Sequence, residues 1–401
     1  MNYFLIGNGY DLHHKFPTGY LNFLNTMRFL VDNYDESINT VGDVFGNIAL
    51  QEKDNFIKEC YEKHGEIYNR TYFPKREIER VISQVKSNMW FKYLCNSVSK
   101  DIKWIDFEKE IIRVLDAFSS FFAHIDSLQF IKGRLIFDCS EFPEDVEDRH
   151  ILSQFDFFFE EFEDTWSGNI NVMCICPHYS VEKIAGSNCY HVLTDEIASE
   201  LYISLHEFAN ALRTYLLYFV DGPSKKYNDS GIRPKFAGLP TPNRVYSFNY
   251  TQTLEIMQNT NMVYHIHGDT KRNIVLGINP NETDKMESID TTFLQFKKYY
   301  QRAFFNTDYD FLNIMTSEGR RLHDNDTKLY VIGHSLDSTD EDIIKQIFES
   351  VKSIIILYHN KTSVKNQIKN IVKMYGKEGF DMLRAKKNLI FSPQGEIQWG
   401  N

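Results

Sequence analysis

Apolar positions along the chain fall into two rhythms. Tyr3-Phe4-Leu5-Ile6 reads as a short buried strand, stopped by Gly7-Asn8-Gly9. Beyond Pro17-Thr18-Gly19 the period lengthens. Leu21, Leu24, Met27 and Val31 recur at spacings of three and four, which predicts one apolar helix face. Helical patterning returns over 88–115 and again over 195–220, where Leu201, Leu205, Phe208, Leu212 and Tyr215 share a face. Between those stretches, Val172 to Pro177 and Cys189 to Val192 are short β-like runs that could pair as a hairpin.

The stretch 221–243 holds Pro223, Pro234, Pro240 and Pro242 with Gly222, Gly231 and Gly238, a density of breakers that predicts a linker or long loop. After it, strand-like runs at 244–248, 263–267, 273–278, 328–332, 353–358 and 388–392 alternate with helical or loop stretches. Such alternation predicts a parallel α/β sheet. The first strand resembles these later ones and cannot form a domain alone. The expected organisation is therefore a Rossmann-like nucleotide-binding domain from 1–20 and 244–401, a mostly helical insertion over 21–220, and the linker 221–243.

A length of 401 residues exceeds the roughly 250–300 at which single cores stop growing, so two domains are expected. With 42 % hydrophobic residues, 32 Phe and 23 Tyr, disorder is excluded. Formal net charge is −11, and ten of the acidic residues lie between Glu141 and Asp164. That run reads as a solvated face and argues against nucleic acid as a partner. Six cysteines in a chain of this size do not suggest a disulfide scaffold. Neither a signal peptide nor a membrane span is visible, so a reduced, cytoplasmic protein with no membrane partner is expected.

Four segments could carry chemistry. Gly7-Asn8-Gly9-Tyr10-Asp11 follows a strand and could bring backbone N–H groups close to a phosphate, or simply turn tightly. Phe248-Asn249-Tyr250-Thr251 follows another; Asn249 could face a ligand at the strand's carboxyl end or cap a helix. In His265-Ile266-His267-Gly268-Asp269 the two imidazoles share a strand face, and Gly268 leaves room beside His267. A general base, two structurally satisfied histidines and a metal pair all fit that pattern. Gly333-His334-Ser335-Leu336-Asp337 ends a strand in small hydroxyl residues, suited to a ribose or phosphate or to a plain junction.

The order of these segments resembles the sirtuins, in which a glycine loop, an Asn-x-Asp, a catalytic His-Gly and a Gly-Thr-Ser-Leu follow one another. Thr251 stands where the sirtuin pattern has aspartate, and no cysteine follows Cys189 to form the sirtuin zinc ribbon. More closely, the chain resembles the AbiH abortive-infection family of phage-defence proteins. The resemblance rests on Ile6 to Leu12 with Pro17-Thr18, Trp104 to Glu108, Phe248 to Glu255, His265 to Asp269 and Gly333 to Asp340.

That resemblance implies an α/β fold with a sirtuin-like Rossmann parallel sheet and NAD as substrate, hydrolysed to nicotinamide and ADP-ribose. A sensor that binds NAD or ADP-ribose without turnover is the alternative. By matching positions, His267 and Asn249 would be catalytic. Gly7, Asn8, Gly9, Asp11, Thr18, Thr251, His265, Gly268, Gly333, Ser335 and Asp337 would hold the nucleotide. No metal cofactor is expected, although Cys174, Cys176, His178, Cys189 and His191 leave a structural zinc site open. A small-molecule nucleotide is the expected partner, with a homo-oligomer and a phage-derived trigger as further expectations.

Overall fold

The computed structural model describes residues 1–51, 53–97, 106–125, 129–131, 134–137, 146–165, 168–182, 190–229, 239–258, 263–279, 291–307 and 327–394. It is a mixed α/β structure, mostly helical, with a six-stranded parallel sheet. The chain divides into two compact units. One comprises Met1–Ile82, Ala209–Val275 and Gln301–Asn401; the other comprises Ser83–Phe208 and Leu276–Tyr300.

The first unit holds the parallel sheet. Its strands are β1 (Asn2–Ile6), β2 (Arg244–Ser247), β3 (Val263–His265), β4 (Lys328–Ile332), β5 (Ser353–Tyr358) and β6 (Ile390–Pro393). Their spatial order is 3-2-1-4-5-6, and all neighbours run parallel. The chain therefore moves outward in one direction from β1 to β3, then returns to the other side of β1 with β4. β1 is buried on both faces because its side chains alternate between two cores. Tyr3 and Leu5 pack with Leu329, Val331, Ile344 and Phe348. Phe4 and Ile6 pack with Tyr10, Val245, Leu254 and Ile332.

Helices Tyr20–Asn33, Val41–Leu50 and Asn55–Asn69 belong to this unit. Thr40 caps the second of them, accepting from the Asp43 N–H while the Asp43 carboxylate accepts from the Thr40 N–H at 2.8 Å. Asp54 caps the third at 3.0 Å from the Phe56 and Ile57 amides.

The predicted strands at 3–6, 244–248, 263–267, 328–332, 353–358 and 388–392 all form, within a few residues. Residues 273–278 do not. Their apolar side chains are buried, but Val275 N–H goes to His267 O at 2.8 Å, forming no sheet strand. The breaker-rich stretch from 221 also differs from a linker at its start. Gly222–Asp229 is helical, continuing directly from the π-helical turn Leu216–Asp221.

The second unit contains more strand than the helical patterning suggests. Helices Met89–Ser97 and Phe107–Ala123 accompany an antiparallel sheet of Gln129–Ile131, Arg134–Phe137, Gly168–Ile175 and Phe158–Thr165. The expected hairpin between 172–177 and 189–192 is not made. Gly168–Ile175 pairs instead with its sequence neighbour Phe158–Thr165, and Tyr190–Val192 pairs with Ser180–Glu182. Local partners win because closing a short loop costs less entropy. Trp90 anchors this core, packing on Phe155 and donating Nε1–H to Leu201 O at 2.9 Å.

Candidate functional site

The carboxyl ends of the parallel strands gather most of the singled-out residues, all within the first unit. Asp11, on the short helix after β1, is fully buried. It accepts hydrogen bonds from Asn249 Nδ2 at 3.2 Å, from Thr251 Oγ1 at 2.6 Å and from Thr253 Oγ1. Burial raises its pKa to about 6 against the lowering effect of those hydroxyls. The polar segment after β2 is thus threaded onto one carboxylate. Asn249 Oδ1 is buried and, among the described residues, has no hydrogen-bond partner.

Two further acids flank this cluster. Asp221, at the end of the π-helix Leu216–Asp221, accepts from the Gln252 N–H at 2.9 Å and from Thr270 Oγ1. Burial raises its pKa to about 7. Glu255 meets His265 Nε2 at 2.5 Å, while His265 Nδ1–H donates to Asn249 O at 2.8 Å. Burial pulls the His265 pKa down, but the Glu255 carboxylate outweighs it and the net direction is up. His265 therefore holds the loop rather than facing a cavity.

His267 lies apart from His265. Its Nε2 is 2.8 Å from Asp340 Oδ1, and its ring stands edge-on to Phe248. His334 packs on the same Phe248 ring and places Nε2 3.7 Å from Asp340 Oδ2. The His334 Nδ1 accepts from the Leu336 N–H at 2.9 Å, which puts its proton on Nε2, toward the carboxylate. Two imidazoles thus converge on one acid.

The glycines serve close backbone packing. Gly9 N–H donates to Gly333 O at 2.8 Å. A Cβ on Gly7 would lie 2.6 Å from His334 Cα, and one on Gly333, at φ +66°, would lie 2.5 Å from Tyr10 N. Only without side chains can the loops after β1 and β4 touch. The space beside Gly268 is filled by the Asn273 carbonyl, 1.9 Å from an added Cβ. Asn8 is exposed and accepts from Thr18 Oγ1 at 2.5 Å. Asp337 caps the short turn Ser338–Asp340.

A cavity of about 630 Å³ opens at the carboxyl ends of β1, β4 and β5. Gly9, Gly333, His334 and Ser335 line it, with His13, Lys15 and His359. Asn249, His267, Asp11, Thr251 and Asp337 do not line it. Among the described residues no carboxylate lines it either. Burial and then the neighbouring His359, Lys63 and Lys15 lower the His13 pKa, and burial with Lys15 lowers that of Lys63. Lys15, ion-paired to Glu59 at 2.6 Å, is the ammonium on this wall, and burial is the first cause of the low pKa values of His13 and Lys63.

Among the described residues no group of three or more His, Cys, Asp or Glu is arranged to hold a metal ion. Cys174 is buried and Cys176 Sγ lies 3.4 Å from Asp156 O, whereas Cys189 falls outside the described residues. No helix among the described residues is long and apolar enough to cross a membrane.

Sequence reasoning missed Asp221, the Glu255 pairing and the joint role of Asp340. Asp221 carried a signal: a lone acid closing the apolar run Leu216 to Val220. Asp340 lay at the end of the Gly333–Asp340 segment, but its pairing with His267 was not readable, because the two are 73 positions apart.

The sequence model of the family described as "Bacteriophage abortive infection AbiH" matches residues 3–359. No curated protein and no solved structure matches the chain.

Proposed function

The chain belongs to the bacteriophage abortive infection AbiH family, with the role in phage abortive infection which that membership implies, and on that premise we propose that it acts by hydrolysing NAD to nicotinamide and ADP-ribose. The observation that carries this reading is the cavity at the carboxyl edge of a parallel sheet ordered 3-2-1-4-5-6. In sheets of that order nucleotides bind outside the carboxyl ends, where the strand order reverses. Here that point lies between β1 and β4, whose loops supply Gly9, Gly333, His334 and Ser335. A sirtuin-like Rossmann fold is the corresponding proposal for the architecture.

In the proposed reaction, water oxygen bonds to the anomeric carbon of the ribose as its bond to nicotinamide breaks. Positive charge builds on the ribose in between. His267 takes the proton from water; Asp340 accepts Nε2–H and so assigns the basic lone pair to Nδ1. Asn249, its Nδ2 held by Asp11, turns Oδ1 toward the water or a ribose hydroxyl. The side of the cavity lined by Lys15 and His359 takes the diphosphate. Ser335 lies near the adenosine ribose.

Nicotinamide release from NAD by purified protein, beside Asn249→Ala and His267→Ala, tests this. Release by the wild type and loss of at least about a hundredfold in each variant is expected. Full turnover by His267→Ala would remove the base. A second reading, a sensor that binds NAD or ADP-ribose without turnover, is favoured by one observation: neither His267 nor Asn249 lines the cavity. Binding without product, with any phage trigger supplied, supports the sensor.

A further inference from the structure

Two glutamines on the cavity wall have hydrogen-bonding atoms that no described residue satisfies. Gln367, on the helix Lys361–Lys386, donates Nε2–H to His334 O at 2.9 Å. That bond fixes the amide orientation and leaves Oε1 as an acceptor. Gln394, just after β6, presents Nε2 as a donor. Both residues line the cavity and are 4 % and 6 % exposed. Neither Gln367 Oε1 nor Gln394 Nε2 has a hydrogen-bond partner among the described residues, and they do not pair with each other. Buried amide atoms are almost always paired in folded proteins. An acceptor and a donor left open on one wall therefore call for a ligand edge offering the complementary donor and acceptor.

We propose that this cavity reads the edge of an adenine base, with Gln367 Oε1 accepting from the exocyclic amino group and Gln394 Nε2 donating to the adjacent ring nitrogen. Adenine places an amino donor beside a ring acceptor, the pair that glutamine amides recognise. Leu12 and Leu357 add apolar surface for a flat ring, and about 630 Å³ accommodates a purine and its sugar phosphate. A carboxamide offers the same donor and acceptor but is far smaller than the space. Hypoxanthine reverses the pattern, and Gln367 cannot follow, because turning its amide would point Oε1 at the His334 carbonyl. The inference rests on the reading of the site as nucleotide-binding but not on hydrolysis.

The test is calorimetric titration of the full chain with ADP-ribose, its hypoxanthine counterpart and nicotinamide mononucleotide. ADP-ribose is expected to bind about five- to a hundredfold more tightly than the hypoxanthine compound. Gln394→Leu and the near-isosteric Gln394→Glu should each weaken that preference, with Gln367 still disfavouring hypoxanthine, while the thermal midpoint confirms folding. Should both variants unfold, the base preference of the wild type decides alone. Equal affinity for the two bases, no binding of ADP-ribose, or dependence on Gln394 for nicotinamide mononucleotide alone would overturn the proposal. NAD turnover with no base preference sinks this inference and spares hydrolysis; base preference without turnover does the reverse.

Discussion

On one side of β1, Asp11 and Asp221 gather five hydrogen bonds from the segment after β2 and from Thr270. On the other, Gln367 and Gln394 present polar atoms to an open cavity with no protein partner among the described residues. Both walls lie at the carboxyl ends of the same strands, and both are polar. Their difference lies in what completes the hydrogen bonds. The Asp11 and Asp221 carboxylates of the first wall are satisfied by the chain itself and act as scaffold, while Asn249 Oδ1 stays open for the proposed chemistry. The second is incomplete, as a binding surface must be before its ligand arrives.

The largest expected effect comes from breaking the completed wall. Asp11→Ala strips the acceptor from Asn249, Thr251 and Thr253 at a fully buried position. A loss of about 3 kcal/mol or more in unfolding free energy is expected in urea titration, because each stranded group costs about 1–3 kcal/mol. By contrast, Gln367→Leu on the open wall strands one group, the His334 carbonyl, where Asp11→Ala strands three, and should cost about 1–3 kcal/mol, yet weaken ADP-ribose. Equal stability losses in the two variants would erase the distinction.

A smaller effect concerns pH. The folded pKa of Asp221 is about 7, above the ordinary 3.8. Its protonated form is favoured by folding, so its stabilising contribution is complete below pH 4 and lost as pH rises through 7. Stability should fall by about 1 kcal/mol between pH 6.5 and 8.5, and Asp221→Asn should flatten that slope. Burial lowers His14 and His64 to about 4, so their contribution is present above 6.5 and lost on acidification. The two trends oppose each other below pH 6.5, which makes the alkaline side the clean window. A slope unchanged by Asp221→Asn would show that this acid ionises freely.

Much of the parallel sheet was legible in the sequence because its inner strands are largely buried and read as short apolar runs. Six of the seven predicted runs became strands of one sheet. The exception, 273–278, is as apolar as the others, but its Val275 amide goes to His267 O and its Ile278 amide to Phe296 O. Apolarity reports burial, and pairing is decided by where the chain can reach. The segments around Asn249, His265 and Gly333 do converge at the carboxyl edge. Local sequence could not say that Asn249 and Thr251 would face Asp11, or that His267 and His334 would share Asp340. Those pairings arise from strand order, and strand order is not written in any one window. Gln367 was hidden inside an ordinary helical stretch.

The most direct test of the central claim is the NAD content of phage-infected cells carrying the wild-type chain, compared with cells carrying His267→Ala at equal abundance. The account predicts that infection depletes NAD in the first culture before lysis, and that the variant loses both depletion and protection. Protection by the wild type with NAD held constant throughout infection would contradict it.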